Sequence, residues 1–103
     1  MNKFITRGIY MTCGVNAEIE VNPAFYALVA ECVAKHMMNQ GEECLKDKAM
    51  NHKAIKNKDG RVFSVFTIQG KKVYIITDGL HLADDPEYGK QYPYTTVMFP
   101  EEY

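Results

Sequence analysis

Cys32 and His36 stand four residues apart, the spacing that brings two side chains to one face of a helix. Cys13, Cys44, His52 and His81 are the further thiols and imidazoles that a metal ion would have to recruit beside them. Zinc sites are written with paired ligands such as Cys-x-x-Cys, and that spacing is missing, so no metal is expected and folding should not need one. The same two residues read as members of an apolar helix stripe, cysteine as a small hydrophobe and histidine at the stripe's edge with its polar end wet. A cysteine nucleophile assisted by His36 is disfavoured, because burial raises the pKa of a thiol and leaves it inert. Asp47 and Asn51 form a second pair at four residues' separation. A carboxylate and an amide on one helix face can hold a ligand or a catalytic water; more often they bond locally and anchor a loop, and that structural role is the expectation here. Gly8, Gly14, Gly41, Gly60, Gly70, Gly79 and Gly89 lie too far apart for either nucleotide-binding fingerprint. No catalytic residue, no cofactor and no enzymatic activity are expected.

Two further groupings suit contact with a macromolecule. Residues 46–61 carry the cations Lys46, Lys48, Lys53, Lys56, Lys58 and Arg61 against Asp47 and Asp59, whereas residues 78–103 carry Asp78, Asp84, Asp85, Glu87, Glu101 and Glu102 against Lys90. A bipolar surface of this kind can steer a partner or bring two copies together head to tail, although most such charges simply solvate a helix face and a loop. Tyr88, Tyr92 and Tyr94 follow with Pro86 and Pro93; tyrosine supplies contact area at low entropic cost, or its rings fold back over one face of a sheet. Tyr88, Tyr92, Lys53, Lys56 and Lys58 are the candidate partner-binding residues. A protein partner is favoured, nucleic acid on the basic segment is the rival, and a homodimer is a further form of association.

The elements that must position these residues are read from periodicity. Val15, Ala17, Ile19 and Val21 alternate, the pattern of a half-buried strand over 14–21. Asn22 is a good N-cap and Pro23 suits the first helical position, so a helix is expected over 23–39, with Phe25, Leu28, Val29, Cys32, Val33, His36 and Met37 as its apolar stripe and Gly41 closing it. Glu42 to Ile55 reads as a shorter helix with a thin apolar edge at Leu45, Ala49 and Ala54 or Ile55, leaving through Asn57-Lys58-Asp59-Gly60. Arg61–Ile68 and Lys71–Thr77 form a hairpin about Gln69-Gly70. The first strand carries Val62, Phe66 and Ile68 on one face and Phe63 and Val65 on the other, which points to a central position. After a long connection over 78–93, residues 95–99 return as a strand. The expected core includes Leu28, Val29, Val33, Phe66, Ile75 and Val97.

At 103 residues, with 47% hydrophobic and 24% charged residues, the chain suits one domain over 1–103. The expected fold class is α+β, an antiparallel three- to four-stranded sheet packed against one long helix and one short helix. A formal charge of −1 fits neither a wholly basic nucleic-acid binder nor an acidic nucleic-acid mimic. No run approaches the roughly 18 apolar residues of a membrane helix, and the first seven residues lack a signal peptide's apolar stretch. Three cysteines without pairing spacing read as reduced thiols. A cytoplasmic location away from membranes is expected.

Lys35-His36, Gly41, Lys46-Asp47-Lys48, Asn51, Gly60-Arg61, Val73-Tyr74-Ile75-Ile76-Thr77, and Thr95-Thr96 through Pro100-Glu101-Glu102-Tyr103 together resemble a family of small proteins carried by plasmids and other mobile elements. Its members are labelled plasmid-related, or type I restriction subunits without a demonstrated activity. The resemblance covers residues 25–103, and the ending, two threonines followed by apolar residues and Pro-Glu-Glu-Tyr, is its most specific part. The chain departs from the family where it lacks a Trp after the first helix, and where Asp78–Pro93 replaces a short acidic-Arg-Ser link. The resemblance implies a non-enzymatic accessory protein of a mobile element that acts by protein–protein contact, with antagonism of a host defence such as restriction or CRISPR as one form. The rivals are a nucleic-acid-binding module on residues 46–61 and a small enzyme or metal protein using Asp47, Asn51 and His36.

Overall fold

The computed structural model describes residues 4–103. In chain order it runs β1 (Gly8–Met11), α1 (Cys13–Val21), α2 (Pro23–His36), α3 (Leu45–Asn57), β2 (Val62–Ile68), β3 (Lys71–Asp78), a 3₁₀ turn at Leu80–Leu82, β4 (Tyr94–Met98) and a last 3₁₀ turn at Pro100–Glu102. The α+β class holds. The sheet, however, is mixed: its order is β1-β4-β3-β2, with β2–β3 and β3–β4 antiparallel and β1 parallel to β4. Three helices replace the expected pair.

The segment expected to be a strand over 14–21 is α1. Of its four alternating apolar residues only Val15 and Ile19, four apart, turn inward, while Val21 is 80% exposed. A contact from the far end of the chain secures this helix. The Glu102 carboxylate accepts the Gly14 N–H at 3.0 Å and the Thr12 hydroxyl at 2.6 Å, satisfying a donor that an isolated first turn leaves open. A Cβ at Gly14 would lie 2.8 Å from that carboxylate, so a side chain there would push the Glu102 head group aside.

Pro23 opens α2 as expected, but Asn22 does not cap it; its Nδ2 donates to the side-chain Oε1 of Gln69 at 2.6 Å. The helix ends at His36 rather than at 39, and Asn39 in the left-handed region (φ 55°) turns the chain. α3 starts three residues later than expected, and Leu45, placed on its apolar edge, is 85% exposed; Ala54 and Ile55 do the packing. The β2–β3 hairpin turns through Gln69 (φ 52°) and Gly70 (φ 82°), two consecutive positive φ values that match the twist of its strands.

Val15, Phe25, Val29 and Val33 from α1 and α2 pack on Phe66, Ile68, Val73, Ile75 and Val97, all on one face of the sheet. Leu28 is half-buried at the margin of this core. A second cluster joins Ala54 of α3 to Val62, Phe4 and Leu80. β2 is an edge strand, which corrects the central position expected of it. Its residues Phe63 and Val65, on the face opposite the core, are half-buried, and the rings of Tyr74 and Tyr103 lie against Phe63.

Candidate functional site

His36 lies at the C-terminal end of α2, where its ring enters the sheet and is fully buried, instead of lying wet at the edge of a stripe. Nδ1 is 2.6 Å from Ser64 Oγ and Nε2 is 2.7 Å from Thr77 Oγ1. The chain of hydroxyls continues from Thr77 to Thr95 at 2.7 Å, from Thr95 to Thr6 at 2.8 Å, and from Thr6 to the carbonyls of Gly8 and Pro93. Carbonyls only accept, so each hydroxyl passes its proton towards them. Thr77 therefore accepts from His36 Nε2–H, and Nδ1 accepts from Ser64. Burial pushes the imidazole pKa down to about 3, and the ring is neutral with both nitrogens engaged. Neither nitrogen is left for a metal or a substrate. Cys32 is half-buried and its thiol pKa is raised by desolvation, while Cys13, Cys44, His52 and His81 are exposed. Among the described residues no three of His, Cys, Asp and Glu are gathered as a metal requires.

Asp47 and Asn51 line one cleft beside β2, but the amide of Asn51 is committed to the strand. Asn51 is buried against the open edge of β2: its Oδ1 accepts the Phe63 N–H at 2.9 Å and its Nδ2 donates to the Phe63 carbonyl at 2.7 Å. The neighbouring residues extend this cover. Glu43 Oε1 accepts the Val65 N–H, the Glu42 N–H donates to the Val65 carbonyl at 2.7 Å, and the Glu42 carboxylate accepts the Thr67 N–H at 3.0 Å. Side chains and a stretch of backbone thus take the place of a fifth strand. Lys48 braces the cover by donating to the Gly41 carbonyl at 2.7 Å and pairing with Glu43 at 3.6 Å. This role keeps 42–44 out of α3 and explains the helix's late start.

Asp47 and Asn51 line a cleft of about 320 Å³ with Met50, Arg61, Phe63, Tyr74 and Tyr103. The Phe63 and Tyr74 rings meet edge to face at 4.9 Å, Tyr103 packs on both, and Arg61 lies over the Tyr103 ring while donating to its hydroxyl. At the other end of the same face a tyrosine row runs Tyr88–Tyr92–Tyr94–Tyr10, with ring centres 5.5–6.3 Å apart. Tyr92 is half-buried against Gly79, where a Cβ would come within 2.3 Å of its ring; Tyr88 remains exposed. One tyrosine of the loop therefore packs down and the other is presented outward. The loop itself is hydrogen-bonded, Asp85 accepting from the Glu87 and Tyr88 amides.

Lys53 and Lys56 lie on α3 and Lys58 caps its C-terminal end, whereas Tyr88 and Tyr92 lie by β4 and β1. The loop and the basic segment touch where Lys58 pairs with Asp84 at 2.9 Å and where Leu80 packs by Ala54 and Ile55. Sequence reasoning missed Tyr10, Phe63, Tyr74 and Tyr103 as surface residues. A signal existed in the strands, where Phe63, Tyr74 and Tyr94 occupy the positions alternate to the core residues. Comparison with known proteins returns nothing: no family model, no curated protein and no solved structure matches this chain.

Proposed function

We propose that this chain is a protein-contact module whose working surface is the face of the sheet opposite the helices. The observation that carries the reading is the one-sidedness of the fold. α1 and α2 pack on one face of the sheet, and the other presents Tyr10, Phe63, Tyr74, Tyr92, Tyr94 and Tyr103. Rings of this kind, half-buried at their bases and polar at their tips, are the usual anchors of protein interfaces. The charges around them are mixed, with Asp47 beside Arg61 in the cleft and Asp78 and Lys72 on β3. The lysine-rich side of α3 stands off at the β2 edge. A stacking platform for nucleic acid needs cations along its rings to track phosphates, so protein is the better fit.

The resemblance to mobile-element proteins supplies the context: a non-enzymatic accessory protein that works by occupying a host protein, with restriction or CRISPR components as the candidate targets. The test is affinity capture from host cells with the unmodified chain and with Tyr74→Ala and Tyr94→Ala variants that keep the parent melting temperature. A host protein captured by the parent and lost at least tenfold with both variants is expected. Capture that is unaffected by both, or a nucleic acid retained in a salt-dependent manner, overturns the reading.

A further inference from the structure

The segment leading into β1, the C-terminal end of α3 and the long connection after β3 meet around a pocket of about 270 Å³. Phe4, Leu80 and Pro93 are buried and floor it, Ile55 and Ala83 wall it, and Ile5, 55% exposed, stands at its lip. Backbone groups along these walls are already committed: the Phe4 N–H to the Met37 carbonyl, the Arg7 N–H to the Pro93 carbonyl, and the Leu82 and Ala83 N–H groups to the Gly79 and Leu80 carbonyls. Water in such a space finds few partners. An apolar cavity of about 150 Å³ holds benzene, so this pocket takes an apolar body larger than one six-membered ring. Its mouth carries Arg7, Lys58 and Asp84, all exposed. Lys58 pairs with Asp84 at 2.9 Å, and among the described residues no carboxylate pairs with Arg7. The mouth is therefore left with one unmatched positive charge above an apolar floor.

We infer that this pocket is a binding site for a small hydrophobic carboxylate of the medium-chain fatty acid type, its apolar body against Phe4, Ile55, Leu80 and Ala83 and its head group on the Arg7 guanidinium. Each half of the pocket selects one half of the ligand. The guanidinium fork matches a carboxylate with two parallel hydrogen bonds, and charge complementarity at the mouth fixes the sign of the head group. An ammonium head would meet Arg7 and find the one carboxylate at the mouth, Asp84, already held by Lys58. A carboxylate without an apolar body would leave the floor wet, and an apolar body without a charge would leave Arg7 unmatched. Occupation would fasten the lead-in to β1, the end of α3 and the 80–93 connection to one another, which gives a connection of that length a task. The pocket shares no lining residue with the aromatic cleft or with the tyrosine row, and the inference does not depend on the protein-contact reading of the sheet face.

Titration of the unmodified chain with octanoate, followed by NMR amide shifts and by calorimetry, tests this. Expected are saturable shifts centred on residues 4–7, 55–58 and 80–84, with a dissociation constant of roughly 0.1–1 mM, the range that ordinary binding efficiency gives a ligand of about ten non-hydrogen atoms. Acetate, which is the head group alone, and octylammonium, which reverses its charge on the same chain, should each bind at least tenfold more weakly. Arg7→Gln should weaken octanoate about tenfold with the melting temperature unchanged, because it removes a charged hydrogen-bond donor from an exposed position. Ala83→Phe fills the pocket and should abolish binding while leaving the α2 amides in place. If Ala83→Phe fails to fold, Arg7→Gln and the map of shifts decide. Octanoate without effect up to about 10 mM, shifts that fall elsewhere, octylammonium bound as tightly as octanoate, or affinity indifferent to Arg7→Gln overturns the inference.

Discussion

Among single residues, His36 ties stability to pH through its buried neutral ring. Its pKa is about 6.5 in the unfolded chain and about 3 in the fold, so between those values the unfolded state binds the extra proton. The stability contribution is complete above about pH 6.5 and is lost progressively as the pH falls towards 3, by roughly 5 kcal/mol in all. Denaturant midpoints measured across that window should fall steeply for the parent and less for His36→Gln, and NMR at pH 5 should show a neutral ring protonated on Nε2. Thr77→Val removes the acceptor of Nε2–H and a donor to Thr95 without changing shape, and should cost about 1–3 kcal/mol. Sequence reasoning placed His36 correctly on the inner stripe of α2 but left its polar end wet. The partners that make its burial tolerable, Ser64 and Thr77, lie 28 and 41 residues away and are ordinary strand residues when read alone.

Among elements, the two ends of the sheet show what local pattern can and cannot carry. Asn51 stands in for a strand, so Asn51→Ala should cost about 2–4 kcal/mol, because it strips both buried backbone groups of Phe63 of their partner. Denaturant unfolding measures this, and a loss under about 0.5 kcal/mol would place the edge cover elsewhere. The hairpin β2–β3 and the helix α2 were legible because their hydrophobic period, turn residues and Pro23 agree with one another. α1 was misread because Val15, Ala17, Ile19 and Val21 fit a strand's alternation, and the contact that decides for helix comes from Glu102. That carboxylate is held below its ordinary range, chiefly by the Thr12 hydroxyl and then by the Phe99 N–H. Glu102→Ala should speed amide exchange in residues 14–17 while leaving α2 unchanged. β1 went unread since four residues, Gly-Ile-Tyr-Met, make no pattern until β4 is beside them.

At the scale of the whole molecule, helices and sheet divide the labour. α1 and α2 seal one side around Phe25, Val29 and Val33, and Phe25→Ala should cost about 3–5 kcal/mol there. α3 and the segment before it close the β2 edge, and among the described residues no helix is long and apolar enough to cross a membrane. On the proposed reading, the aromatic side of the sheet is what the molecule offers to others. The central claim, contact with a host protein through that side, is tested most directly by placing a photo-crosslinking benzoylphenylalanine at Thr96, in the middle of the aromatic face, and separately at Ala30, on the exposed side of α2. Irradiation in host cells should give one discrete host-protein adduct from position 96 and none from position 30. The same adduct from position 30, or no protein adduct from position 96 in a folded chain, would contradict the account.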